Sequence, residues 1–163
     1  MLMDEVSSQE PSTSSLKEFQ QVWKGIWKIW TPKRIRHFIW YTALPVEDTC
    51  KLCGDFQETT LHSLWLYEYA QAVWKSDITF IPYYRKGFQT FFVLSEEVLR
   101  KGSKYHVALF STMVWCLWQR CNRSRMNQSV WPLHEIGDRA KGLVITNYEK
   151  LIILLLLNYK KKI

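Results

Sequence analysis

Trp23, Trp27 and Trp30 recur at i, i+4 and i+7, with Ile26 beside them. That is the repeat of one face of an α-helix, and a helical aromatic stripe is read as core. The same chemistry runs through the whole chain, which carries nine Trp, eight Tyr and eight Phe in 163 residues. So much ring surface cannot stay in water, which excludes a wholly disordered or collagen-like polymer. Only six Gly and five Pro are present, too few for a turn-rich β-sandwich. No segment alternates strictly enough to read as a strand. The expected class is mostly α, with one compact domain or two small ones.

Helical patterns can be followed along the chain. Pro32 ends the first helix and suits the first turn of a second, in which Ile35, Phe38, Ile39 and Thr42 share a face. Pro45 stops it. Thr60 is placed to cap a third helix carrying Leu61, Leu64, Trp65, Tyr69 (or Glu68), Val73 and Trp74. Residues 76–87 read as irregular. A fourth helix runs from Phe88 to Arg100 and is closed by Gly102. A fifth spans Tyr105 to Met126 with Val107, Phe110, Val114, Leu117 and Cys121 on one face. A sixth starts at Pro132 and passes Ile136, Ala140 and Val144. Residues 1–15 are polar, Ser-rich and without apolar periodicity, and read as a disordered leader.

The formal charge is +7 and unevenly spread. Residues 17–43 hold six basic side chains against one acidic, and residues 81–163 hold fourteen against five. Residues 44–80 reverse this, with six acids against two bases. Such basic flanks favour a polyanionic partner. The first residues are acidic and polar, unlike a secretory signal, so an intracellular reducing compartment, nuclear or cytoplasmic, is expected. The longest aliphatic run, Leu151–Leu157, is far shorter than the roughly 20 residues that cross a bilayer. No membrane association is expected.

One local motif carries chemistry. Cys50-Lys51-Leu52-Cys53-Gly54 sets two thiols two residues apart in a turn-like segment, a spacing that can chelate one zinc ion. The next candidate ligand is His62. A fourth could come from Asp55, Glu58, Glu68 or water, or from Cys116 or Cys121 further along. Two further readings stay open: a pair of small thiols in a surface turn, and a thiol redox site, which would need a βαβ setting. No Ser/His/Asp order, Gly-rich phosphate loop or H-E-x-x-H is present.

The order of motifs over residues 16–74 resembles the zinc-binding domain that follows the reverse transcriptase in plant LINE-type (non-LTR) retrotransposons. The matching stretches are Trp23-Lys24-Gly25-Ile26-Trp27-Lys28, then Pro32-Lys33, His37-Phe38-Ile39-Trp40 and Ala43-Leu44-Pro45. They continue with Asp48-Thr49-Cys50-Lys51-Leu52-Cys53-Gly54, Glu58-Thr59-Thr60-Leu61-His62 and Ala70-Gln71-Ala72-Val73-Trp74. Residues 107–126, with Phe110, Trp115, Leu117-Trp118, Arg120 and Asn122-Arg123, resemble the helix that joins that domain to a ribonuclease H-like domain.

The resemblance implies a zinc site of pattern C-x2-C-x8-H-x4-C. Carried over, it names Cys50, Cys53 and His62 as ligands, and its last position falls on Tyr67. With the polar leader (1–15) and a Leu- and Lys-rich tail (151–163) outside the resemblance, the expected division is a zinc-binding-like domain (16–76), a connector with a short helix (77–103) and a helical region (104–150). The join Pro45–Cys50 is shorter than the family's. No Tyr/Phe-x-Asp-Asp pair is present, and the acidic set of a ribonuclease H-like site has no room. The expectation is therefore a non-catalytic piece of a mobile-element polyprotein with no small-molecule substrate. Its expected partner is nucleic acid, met by Lys24, Lys28, Lys33, Arg34, Arg36, Arg120 and Arg123, residues that read equally as a solvated basic face. A metal-free structural or interaction remnant is the alternative.

Overall fold

The computed structural model describes residues 13–42, 59–84 and 86–160. The described residues are 81% helical and contain no strand, so the class is mostly α. The helices are α1 (Thr13–Trp27), α2 (Lys33–Thr42), a π-helical turn (His62–Leu66), α3 (Glu68–Lys75), a 3₁₀ turn (Ile78–Phe80), α4 (Ile81–Tyr84), α5 (Phe91–Lys101), α6 (Lys104–Arg125) and α7 (Leu133–Lys160).

α6 is the axis of the fold. Val107 through Leu117 are all buried, about three turns enclosed on every side. The α2, α5 and α7 helices and the π turn all contact it. The expected single apolar face of this helix is therefore replaced by burial all round. Its two hydroxyls in that stretch lose water but not hydrogen bonds: Ser111 donates to the Val107 carbonyl and Thr112 to the Ala108 carbonyl, each at 2.8 Å.

The core stripe of α1 is one residue away from the tryptophans. Val22, Ile26 and Ile29 are buried, whereas Trp23 and Trp30 are 36% and 39% exposed. One residue on a helix is about 100° of rotation, so the two stripes look alike in sequence and face different ways. The smaller aliphatic side chains fill the interior and the large amphipathic rings seal its edge. Trp23 meets Trp27 edge to face at 5.3 Å, Trp27 meets His37 at 4.9 Å, and Trp30 lies 5.1 Å from Tyr148 of α7. In α2 the expected face is present: Ile35, Phe38, Ile39 and Thr42 are all buried.

The third expected helix is two pieces. Thr59, not Thr60, caps it, its hydroxyl accepting from the His62 N–H at 3.0 Å. The backbone then breaks at Tyr67, whose extended conformation separates the π turn from α3. Tyr69 and Glu68 are exposed, and Ala70 takes the core position. Trp74 re-joins the pieces by donating from Nε1 to the buried Leu64 carbonyl at 2.8 Å. Around it Trp65, Phe80 and Phe110 lie within 5.4 Å of its ring centroid, forming the aromatic centre of the core.

Residues 76–87, expected to be irregular, hold short helical turns. Asp77 accepts from Thr79 N–H at 2.9 Å and pairs with Lys141 of α7 at 3.0 Å. Burial alone would raise its carboxyl, but the Thr79 and Lys141 hydrogen bonds outweigh that and hold it below the ordinary value. Pro82 sits in the first turn of α4, where no N–H is required.

α1 begins at Thr13, inside the stretch read as a leader. α7 runs unbroken through the boundary drawn at residue 150, so Ile152, Ile153, Leu154 and Leu157 continue a helix and are exposed. One apolar cluster joins Val22 of α1 to Val144 of α7, with contributions from α2, α3, α5 and α6. Among the described residues no helix is long and apolar enough to cross a membrane.

Gly102 closes α5 for a reason other than left-handed backbone, since its φ is −74°. A Cβ there would stand 2.6 Å from the Val98 carbonyl oxygen and 3.0 Å from Val107. Gly102→Ala forces the α5–α6 corner apart. The expected loss is about 1–3 kcal/mol from overpacking, less about 0.4–1 kcal/mol of unfolded-state entropy, read as a lowered urea midpoint.

Glu97 on the same helix gathers three cations: Lys86, Arg100 at 2.6 Å and Lys101 at 2.6 Å. Hydrogen bonds from Lys101, Lys86 and Arg100 pull its carboxyl down to about 2. A depressed acid stabilises the fold above its unfolded value, here 4.5, and that contribution disappears as pH falls from there towards 2. The cations are about half exposed, so the effect is small and shrinks with salt. Glu97→Gln should flatten this part of the acid limb in urea melts between neutral pH and pH 3, leaving the remainder unchanged.

Candidate functional site

Two regions bear on function, and both touch the π turn. The first is the metal motif. Cys50 and Cys53 lie outside the described residues, as do Asp55 and Glu58. His62 opens the π turn, and the Tyr67 N–H donates to its carbonyl at 2.7 Å, an i to i+5 bond. In an α-helix, five residues would carry the side chains about 140° apart round the axis. The wider π turn brings them together, with ring centroids 5.7 Å apart. So the two positions separated by x4 in the zinc pattern are neighbours here.

What stands at the second is a phenol, where the pattern calls for a thiolate. The described donors thus do not complete a tetrahedral set of thiolates and imidazoles. Among the described residues no cluster of three or more His, Cys, Asp or Glu is placed to hold a metal ion. Glu68 points to solvent on α3. Cys116 is buried, and that burial pushes its thiol up to about 11, which leaves it protonated. Cys121 lines a cavity of about 310 Å³ together with Tyr67, Ser63 and Arg120.

The second region is a larger cavity, about 750 Å³, bounded by α2, the π turn and the outer half of α6. Phe38 and Trp118 meet across it at 4.7 Å with a 41° tilt. The Arg34 guanidinium lies 4.9 Å over the Trp115 ring. Gln119, Asn122 and Arg125 continue the same wall of α6. None of its described lining residues is acidic. Thr42 and Thr60, on either side of residues 43–58, line it as well.

The expected phosphate contacts divide into two groups. Lys24, Lys28, Lys33 and Arg34 are exposed. Lys33 and Arg34 open α2, whose first turn has no acid, so cations sit at the positive end of a helix dipole. Arg36, Arg120 and Arg123 each donate one hydrogen bond to a backbone carbonyl. Arg36 donates to the Ile29 carbonyl at 3.3 Å. Arg120 donates to Trp131 O at 3.1 Å and lies over Tyr69, while Arg123 donates to Ser129 O at 3.3 Å and lies over Trp131. These two arginines fasten the α6–α7 connection to α6.

Comparison of the chain with known protein families, with curated proteins and with solved structures found no match. The functional reading therefore rests on the residues themselves. Sequence reasoning had not assigned a role to Trp118 or Asn122. The signal was present: Trp115, Trp118, Asn122 and Arg125 recur at three- and four-residue steps, one face of a helix turning from aromatic to amide to cation.

The His62–Tyr67 contact yields a direct test. Tyr67→Cys places a thiolate beside His62, so it should raise zinc affinity by orders of magnitude, measured by competition with a chromogenic chelator under reducing conditions. Equal zinc affinity in both proteins would contradict the ligand assignment of His62, Cys50 and Cys53.

Proposed function

We propose that the chain is a non-catalytic nucleic-acid-binding module descended from the zinc-binding region of a plant LINE-type retrotransposon polyprotein. The observation that carries the binding reading is the cavity between α2 and α6, which has no acid among its described lining residues and sets Arg34 and Arg125 beside Phe38, Trp115 and Trp118. Aromatic faces interleaved with guanidinium groups suit nucleic acid, since rings stack on bases and cations meet phosphates. Lys33, next to Arg34, extends the basic rim, and Lys24 and Lys28 add exposed cations. An intracellular setting, nuclear or cytoplasmic, belongs to the same proposal.

A second reading, a metal-free structural or interaction remnant, is favoured by Tyr67 standing beside His62 at the pattern's last ligand position. Zinc would sit on Cys50, Cys53 and His62 if it is bound at all. Its chemistry there would be to clamp the turn against the π helix, with no catalytic step. Stoichiometric zinc in protein purified under reducing conditions, lost on Cys53→Ser, supports the metal-bound form. Metal-free, fully folded protein supports the remnant.

Phosphate contact is tested by salt. Binding to a labelled oligonucleotide should weaken steadily as salt rises from about 50 to 200 mM, with little dependence on sequence. Arg34→Ala should lower the slope of log affinity against log salt by about one, uniformly across sequences. A binding constant that does not change with salt counts against the proposal.

A further inference from the structure

The α2–α6 cavity has features that a merely basic face lacks. Its volume, about 750 Å³, lies within the roughly 300–1,000 Å³ of small-ligand pockets. Trp118 is 40% exposed although it directly follows the fully buried part of α6. Phe38 supports it and is itself 9% exposed, so the indole is braced from below rather than dangling. A braced, half-exposed indole inside a concavity is shaped to receive a flat ring.

The polar groups around it match the rest of a nucleotide. Gln119 and Asn122 carry amides, each with a donor and an acceptor, as base edges require. The Arg34 guanidinium carbon lies 4.9 Å from the Trp115 ring centroid, and its N–H donors are of the kind that meet a phosphate. Among the described residues Arg34 makes no hydrogen bond or ion pair.

We infer that this cavity seats one unpaired nucleotide of a single strand, its base on Trp118 and its phosphate on Arg34. The inference rests on the nucleic-acid reading and sharpens it. A base within a duplex has both faces covered by its neighbours, so it cannot enter a walled cavity to stack. A purely aliphatic ligand would leave the guanidinium and the amides unmatched.

The test compares oligo(dT), its duplex with oligo(dA), and thymidine 5′-monophosphate as competitor, using the full chain at low salt. The single strand should bind about tenfold or more tighter than the duplex and should quench tryptophan fluorescence. Trp118→Ala should cost about 5- to 150-fold in single-strand affinity and little in duplex affinity, while Trp118→Phe keeps most of the preference. Circular dichroism checks that both variants fold, which the partial exposure of Trp118 favours. Unchanged single-strand affinity in Trp118→Ala, or equal affinity for strand and duplex, overturns the nucleotide seat. If Arg34→Ala still weakens both forms, the broader nucleic-acid reading survives that result. If neither form binds at low salt, both fall. Displacement of the strand by an equal concentration of the monophosphate overturns the strand assignment in favour of a free nucleotide.

Discussion

The burial of α6 from Val107 to Leu117 on every side is the constraint from which the rest follows. A helix enclosed for about three turns needs neighbours all round it, and α2, α5, α7 and the π turn supply them. α1 packs on α2 and α5. These elements share a single apolar core. The candidate site begins where this enclosure ends. Trp118 is the first exposed residue after the buried run, and the helix then presents Gln119, Asn122 and Arg125 to the cavity. A wall made by a helix anchored in the core holds its side chains in place better than a loop would.

Excess positive charge and excess aromatic surface resolve each other in this fold. Lys104 lies over Trp30 at 4.7 Å, Arg34 over Trp115 at 4.9 Å, Arg120 over Tyr69 at 5.6 Å, and Arg139 over Trp131 at 4.0 Å. Rings at the rim of the core cover its apolar interior with one face and take a cation on the other. The arginines serve this best, because a guanidinium stacks flat and still donates from its edge, as Arg120 and Arg123 do to the backbone of the α6–α7 connection. Arg34 lies over Trp115 and, among the described residues, makes no such hydrogen bond.

Much of the fold was legible in the residues. The α2 face of Ile35, Phe38, Ile39 and Thr42, the start of α6 and the axis Ile136–Ala140–Val144 of α7 follow from spacing alone. The errors have a common physical origin. In α1 two stripes one residue apart both repeat at helical spacing, and pattern cannot say which faces inward. The break at Tyr67 and the hydrogen bond from Trp74 to Leu64 depend on how α3 meets the core, which no local propensity encodes. The carbonyls that Arg36, Arg120 and Arg123 meet are brought to them by the folded chain, and a sequence shows only the charge. The thiols Cys50 and Cys53 lie outside the described residues, so of that motif only His62 and Tyr67 have a structural setting.

By itself the sequence determined the helical class, the aromatic core, the basic balance and the presence of His62 and Tyr67 at the spacing of a zinc pattern. These are properties of residue type and period, and local sterics and hydrophobicity suffice to set them. Only the tertiary structure decided which aromatic rings are core and which are rim, and which arginines are already committed. It also decided that Phe38 of α2 and Trp118 of α6, 80 positions apart in the sequence, meet across one cavity. Contacts between helices depend on how whole faces dock, and that information is distributed over the chain instead of residing in any one segment.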